Sequence, residues 1–368
     1  MTLRVLLLLG QNLGWRTYAA TLTTALERRD DVEVVVSVGG RAASGAGQGR
    51  ATAPRHREAT RLVRDVRLAG DLRANLRGGR PDVVHAAGHL MARPLLWPGV
   101  MGDDISLSVL LDGTARQSDR AKGVGAGVGR LAWRDERRVL RRADLVNCVS
   151  QWAADSVAGD YGVTGGRIRV RPYPIADIDT GLLEQASTRR EGAGDRPVQL
   201  LCVAGDFERK GGPWLLRTFA ERWAAVAELH VVSDTAPRDG LPPGVFVHHG
   251  VDNESVRTRF FPAADLLVHP TRFDQSSMVA IEAAAFALPA VVTDVGGVGE
   301  VVDHEHTGLV ADTDTGVARA IDRLIADAAL RRRLGEAARR RFLDLHEADR
   351  SVARLVADWH QLVDQSPG

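Results

Sequence analysis

Apolar and polar positions fall into two successive series along the chain. In the first, the runs Leu3 to Leu9, Val32 to Val38, Val83 to His85, Ser106 to Leu111 and Leu145 to Val149 read as buried strands. Between them lie an amphipathic helix over Trp15 to Arg28, preceded by a loop with Gly10 and Gly14, and a second helix near Arg57 to Leu76. The rhythm fades from Pro172 to Pro197 into a polar connection carrying Gly and Pro, the composition of a linker. A second series follows: Val198 to Ala204, Leu229 to Val232, Val245 to His248, Asp265 to Val268 and Ala290 to Thr293, with a helix over Trp214 to Ala227. Short strands alternating with helices predict an α/β chain with two doubly wound parallel sheets, and ligands in such sheets bind at the carboxyl ends of the strands. After Thr313 the pattern is helical, with stripes at Val317, Ile321, Leu324 and Ile325 and at Val352, Leu355, Val356, Trp359, Leu362 and Val363. The expected organisation is 1–174, a linker at 175–197, a second domain at 198–345 and a last helix at 346–368.

One stretch breaks this apolar logic. From Met278 to Val292 the only charge is Glu282, on a helix whose face is Met278, Ile281, Ala285 and Leu288 and which Pro289 stops. A carboxylate carried into such surroundings costs several kcal/mol if unpaired. It therefore needs an arginine from elsewhere or a place at the lip of a site. Ser276 and Ser277 are natural caps for this helix, leaving the N–H groups of Met278 and Val279 pointing at whatever lies in front. Asp274 precedes them, a turn residue or an acceptor for ligand hydroxyls.

Composition narrows the picture. The 368 residues exceed one ordinary core, and 44% hydrophobic with 26% charged residues describes a globular protein. A net charge of +1 and 5% aromatics give no pull toward nucleic acid. The apolar run Val5 to Leu9 is too short to span a bilayer and lacks the flanks of a signal peptide, so it reads as a buried first strand, and reduced thiols at Cys148 and Cys202 make a cytoplasmic location the expectation. Cys148 and Cys202 sit in strands and make neither a disulfide framework nor a metal site. The basic block RRRLGEAARRRF reads as a solvated face, with peripheral membrane contact the minor reading.

Lysine is nearly absent: Lys122 and Lys210 are two among 48 basic residues, the other 46 being arginine. Lys210 stands in GDFERKGGPW, where strand, turn and helix succeed one another. Arg209 and Lys210 beside Gly211 and Gly212, with Pro213 in the first helical turn, make a place for phosphates, because backbone N–H groups and the helix dipole add to the side-chain charge. The glycines of DVGGVGE, Gly296, Gly297 and Gly299, fit either close backbone approach to a ligand or a tight turn. GVGAGVG, from Gly123 to Gly129, follows no strand and reads as a loop. The pairs Asp177/Asp179 and Asp312/Asp314 suit a linker and a helix cap better than a metal, and no metal or cofactor is expected. His85 and His89 end one strand of the first half, as satisfied structural histidines or as site residues. Asp112 ends another strand, placed for an acceptor hydroxyl.

Taken together, GDFERKGG and DQSSMVAIEAAAFALPAVVTDVGGVGE on two Rossmann-like halves resemble the retaining glycosyltransferases of family four. The resemblance is strongest from Val198 to Val310. It implies the GT-B fold, two such domains facing a cleft with C-terminal helices returning to the first. The family's two acids with seven residues between them appear as Asp274 and Glu282, with Asp for the usual first Glu. By resemblance, Glu282 binds the ribose hydroxyls of a nucleoside diphosphate sugar and Asp274 its sugar. Arg209 and Lys210 hold the diphosphate, and Ser276, Ser277, Met278, Val279 and Gly14 complete the donor set. Asp274, Arg209, Lys210 and Asp112 are the catalytic candidates, acting on an acceptor hydroxyl without metal. Gln275, Ser276 and Ser277 replace the usual Gly-Phe-Gly, Asp206 replaces an Arg, and Leu111 or Asp112 replaces a frequent His. A nucleotide-sugar 2-epimerase and a nucleotide-sugar binding protein without catalysis are the alternatives.

Overall fold

The computed structural model describes residues 2–10, 13–38, 69–70, 72–74, 79–102, 104–121, 123, 130–192 and 196–365. Most of the helix expected near Arg57 to Leu76, Lys122 and all but Gly123 of the GVGAGVG run lie outside them. The chain divides into two compact units, Met1–Pro174 with Ala348–Gly368, and Ile175–Glu347.

The first unit holds a parallel sheet of β1 (Leu3–Leu9), β2 (Val32–Val38), β3 (Val83–Ala87), β4 (Ser106–Leu111), β5 (Leu145–Cys148) and β6 (Ile168–Val170), in the order β2-β1-β3-β4-β5-β6. β1, β3, β4 and β5 are apolar along almost their whole length because helices cover both sheet faces. The last helix, Ala348–Asp364, belongs to this unit. Its Trp359 is buried and donates its Nε1–H to Ser108 Oγ at 3.2 Å, and its Asp358 takes both arms of Arg171 at 2.7 and 2.8 Å.

The second unit repeats the plan with β7 (Val198–Val203), β8 (Ala227–Val232), β9 (Val245–His248), β10 (Leu266–His269), β11 (Ala290–Thr293) and β12 (Gly308–Ala311), ordered β12-β11-β10-β7-β8-β9. All neighbouring strands in both sheets run parallel. The chain leaves β7 first toward β8 and β9, then returns to place β10 on its other side. The boundary between β7 and β10 is thus the switch point where open α/β sheets bind ligands.

The structure departs from the sequence reading in three places. The strands β6 and β12 have only three and four residues, and Arg or Gly interrupts their apolar pattern. The polar stretch after Pro172 carries a helix, Thr180–Glu191, capped by Asp179 and held by Arg190, whose guanidinium donates to the carbonyls of Ala264, Phe286, Ala287 and Phe261. Burial pulls that guanidinium down to about 10. The helix was hidden because a buried arginine, rather than an apolar stripe, fastens it.

The basic block lies on the helix Ala328–Leu345, which buries Leu330, Leu334, Ala338 and Phe342. Three of its six arginines turn inward, Arg331 donating to the carbonyl of Ile325 at 2.9 Å, Arg341 to that of Glu300 at 3.1 Å and Arg339 to Asp177 at 2.5 and 2.9 Å, while Arg332, Arg333 and Arg340 are exposed. Asp177 is therefore an ion-pair partner and Asp179 a helix cap. Asp314 pairs with Arg272 at 2.5 Å, while the cap of its helix is Thr313. Among the described residues no group of three His, Cys, Asp or Glu side chains could hold a metal, and no helix is long and apolar enough to cross a membrane.

Candidate functional site

Three loops leave the carboxyl ends of the central strands β7, β10 and β11 and lock together. After β7 the chain turns tightly, with Lys210 N–H on the carbonyl of Asp206 at 3.0 Å and Gly212 N–H on that of Phe207 at 2.9 Å. Gly211 takes a left-handed φ of 77° directly before the helix Gly212–Arg222, and a Cβ there would overlap the carbonyl oxygen of Pro270. The loop after β10 is fastened to it: Arg272 N–H donates to the carbonyl of Arg209 at 2.8 Å, and the Arg209 guanidinium donates to the carbonyl of Phe273 at 2.7 Å. The loop after β11 closes the other side through Gly297 N–H on the carbonyl of Gln275 at 3.1 Å. Gly296, at φ 60°, lies so close that a Cβ would strike the carbonyl of Asp274. That close approach is the reason for a glycine there.

Asp274 is at the centre of this junction. Its carboxylate receives the Lys210 ammonium, with Arg209 Nη1 at 3.7 Å and His269 Nε2 at 3.6 Å. Burial pushes its proton affinity up, but the Lys210 ammonium in direct contact outweighs that and keeps it below the usual carboxylate range. It is an anion at every physiological pH. Lys210 is only 12% exposed, whereas Arg209 is 40% exposed and also lies 3.5 Å from Asp206. Lys210 is therefore the more buried charge of the pair and Arg209 the more exposed one.

Ser277 caps the helix Met278–Ala285, accepting Ala280 N–H at 3.2 Å. Ser276 stays in the loop before it. Capping leaves the Met278 and Val279 amides at a positive helix terminus, which favours an anion. One turn in, the Glu282 side chain is 14% exposed and faces Arg257 Nη1 at 3.4 Å. Burial raises the proton affinity of Glu282 although Arg257 opposes it. The arginine partner that the sequence reading asked for is thus present, yet it does not fully compensate the carboxylate. Arg257 also donates to the carbonyl of Ala176 at 2.7 Å.

Arg209, Lys210, Asp274, Ser276, Ser277, Met278, Val279 and Glu282 are thus gathered within the second unit. Gly14 and Asp112 belong to the first, Gly14 in the opening turn of the helix Leu13–Glu27 that follows β1, Asp112 directly after β4. His85 is buried inside that unit, between Tyr18 Oη at 3.0 Å and Ser108 Oγ at 2.9 Å and against Trp359, and burial lowers it to about 3. It is a core histidine. His89 begins a short helix, His89–Ala92, just after β3, where its Nδ1 lies 3.0 Å from the fully buried Glu136. Glu136 also accepts the Ala115 N–H at 2.9 Å and the Tyr161 hydroxyl.

Three residues of these surroundings escaped the sequence reading. Glu136 shares a helical stripe with Val139, Leu140 and Ala143, a signal masked by the arginines around it. Arg257 comes from a π-helical turn, Val256–Phe260, that no pattern announces. His269 closes the otherwise apolar β10, one residue beyond the expected strand end.

Comparison with known proteins places this geometry in a family. The model described as Glycosyltransferase Family 4 matches residues 14–176, and that described as Glycosyl transferases group 1 matches residues 198–327. The chain is similar to the D-inositol 3-phosphate glycosyltransferase of Pseudarthrobacter chlorophenolicus, 34% identical over 71% of this chain and 64% of that protein. It is also similar to the glycogen synthase of Mycobacterium tuberculosis, 28% identical over 72% and 65%. The matches therefore span somewhat less than two thirds of these relatives' lengths. Among solved structures, the sucrose-phosphate synthase of Thermosynechococcus elongatus superimposes with a TM-score of 0.74 at 18% identity, covering 99% of this chain and all of that one. Anabaena HepE, in complex with UDP and glucose, does so with 0.68 at 14%, covering 97% and 99%. The chain shares with these neighbours the GT-B fold, built here from two parallel α/β sheets of six strands each. With one family model on each half, the chain belongs to the family-four glycosyltransferases.

Proposed function

We propose that the protein transfers a glycosyl unit from a nucleoside diphosphate sugar to an acceptor hydroxyl with retention at the anomeric carbon. The observation that carries this reading is the Lys210 ammonium held on the Asp274 carboxylate, with Arg209 alongside and two helix N-termini opening on the same junction. Two cations and the Met278 and Val279 amides at a helix N-terminus suit a diphosphate, and an ionised carboxylate suits sugar hydroxyls. Glu282, kept at the lip of the apolar helix, is assigned to the ribose hydroxyls. The Met278 and Val279 amides and Gly14 complete the donor contacts, and Asp112 is assigned to the acceptor hydroxyl.

In the transfer, the acceptor oxygen attacks the anomeric carbon on the face the diphosphate leaves. The bond from that carbon to the phosphate oxygen breaks, and the acceptor's proton passes to the departing phosphate. Arg209, Lys210 and the helix termini stabilise the charge that develops there, so the reading assigns no metal. The match to transferases on both halves supports this over an epimerase or an inactive binding protein.

Incubation with a panel of nucleoside diphosphate sugars, followed by nucleotide-release assay and proton NMR of the product's anomeric signal, tests the reading. The expected outcome is release of the nucleoside diphosphate and a product with the donor's anomeric configuration, with Lys210→Ala slowing turnover by about 100-fold or more. Unchanged turnover in that variant, or an inverted product, contradicts it.

A further inference from the structure

One buried ionisable side chain against the site has no role so far. His269 is 1% exposed, neither of its ring nitrogens has a hydrogen-bond partner, and its Nε2 faces the Asp274 carboxylate at 3.6 Å, beyond normal hydrogen-bond length. A buried polar group left unsatisfied is costly, and packing gives no reason for a histidine after Leu266, Leu267 and Val268.

The charges that act on it are few. From the loop after β7 come Lys210 and Arg209, and from the loop after β10 comes Asp274. On the neighbouring strands, Val292 of β11 pairs with it and is uncharged, and the titratable group of β7 is Cys202, a buried thiol pushed up to about 12 by burial. Burial and the two cations, working against Asp274, keep the imidazole neutral while the site is empty of ligand.

We propose that His269 is a proton-linked positioning residue: when a nucleoside diphosphate occupies the Arg209 and Lys210 loop, the imidazole takes up one proton and becomes the cation that holds Asp274. The inference rests on the nucleotide-sugar reading. Arg209 and Lys210 against Asp274 and Asp206 leave the junction without net charge, and a bound diphosphate makes it negative. The field then favours the imidazolium. As Lys210 turns to the phosphates, the Asp274 oxygen it held opens to the Nε2–H of His269. The step makes and breaks no bond between heavy atoms; a single proton passes from solvent to the ring. Asp274 is thereby kept ionised and oriented toward the sugar.

Titration calorimetry of the full chain with UDP, GDP, ADP and TDP, in HEPES and in Tris at pH 7.5, reads proton uptake from the difference in apparent enthalpy between the buffers. The comparison is with His269→Asn, which removes the titrating ring and leaves the nucleotide's own protonation common to both. The wild type is expected to take up as much as one proton more than the variant, and its affinity to fall as pH rises, by at most about tenfold per unit. The variant's affinity is expected to be nearly flat with pH and to converge on the wild type's at high pH. Equal uptake in both, or binding by the wild type without uptake, overturns the proposal and leaves the nucleotide reading standing. Binding of none of the four nucleotides overturns both. Circular dichroism checks the fold of the variant, with His269→Gln as a second replacement. Should both misfold, the absence of proton uptake in the wild type still overturns the proposal.

Discussion

Glu282 is an acid whose surroundings favour its protonated form. Burial raises its proton affinity, and the pairing with Arg257 at 3.4 Å only partly offsets this, so at neutral pH the ionised side chain is a net cost to the fold. The sign follows from linkage. A carboxyl group whose folded proton affinity is raised destabilises the protein above that raised value, and the cost fades as pH falls through it. Glu282→Gln is therefore expected to raise the melting temperature at pH 7.5 by a few degrees, corresponding to roughly 1 kcal/mol, and to lose that gain on acidification toward pH 4. Arg257 keeps the carbonyl of Ala176 at 2.7 Å in the variant, so its own cost is limited. The same substitution should weaken nucleotide binding, because an amide accepts a vicinal diol's two hydroxyls less well than a carboxylate. A melting curve against pH, with and without nucleotide, checks both arms. A fall in stability at neutral pH would mark Glu282 as a structural partner of Arg257 instead.

At the scale of elements, the site helix Met278–Ala285 is fixed at both ends. Ser277 caps its start, and the Arg190 guanidinium binds the Phe286 carbonyl at 2.8 Å at its finish, a cation at the negative end of the dipole. The turn that follows is strained: Ala287 has a left-handed φ of 51°, a conformation costing a non-glycine residue roughly 1–2 kcal/mol. Ala287→Gly is expected to stabilise the second unit by about 1 kcal/mol, net of the backbone entropy that glycine adds, with turnover unchanged. A calorimetric melting curve beside a turnover assay tests this. Loss of stability would show that the Ala287 methyl contributes packing that outweighs the strain.

These elements also show what a sequence can carry. Asp274, Glu282 and the Arg209–Lys210 loop were legible because their spacing stands out against an apolar helix and an arginine-only background. Long buried strands such as β1 and β4 were legible because both faces are covered, which makes the runs continuous. The helix Thr180–Glu191 was not, since its docking depends on one guanidinium meeting four carbonyls, a tertiary contact with no periodicity. His269 and Arg257 matter through what they face, and that is set by strands and turns distant in the chain.

For the whole molecule, each unit carries its own six-stranded sheet and apolar core, and the donor residues other than Gly14 belong to the second unit alone, Ile175–Glu347. The β7–β10 switch point with its charged loops is thus built within one unit. A ligand that binds the native state stabilises it by an amount set by its concentration relative to its dissociation constant, about 2.7 kcal/mol at a hundredfold excess. The central claim, that the Lys210 and Asp274 junction receives a nucleoside diphosphate, is tested most directly by the melting temperature of the full chain against UDP, GDP, ADP and TDP. We expect at least one of them to raise it in a concentration-dependent way in the wild type, and the rise to vanish in Lys210→Ala. No shift with any of the four, or an equal shift in wild type and Lys210→Ala, would contradict the account.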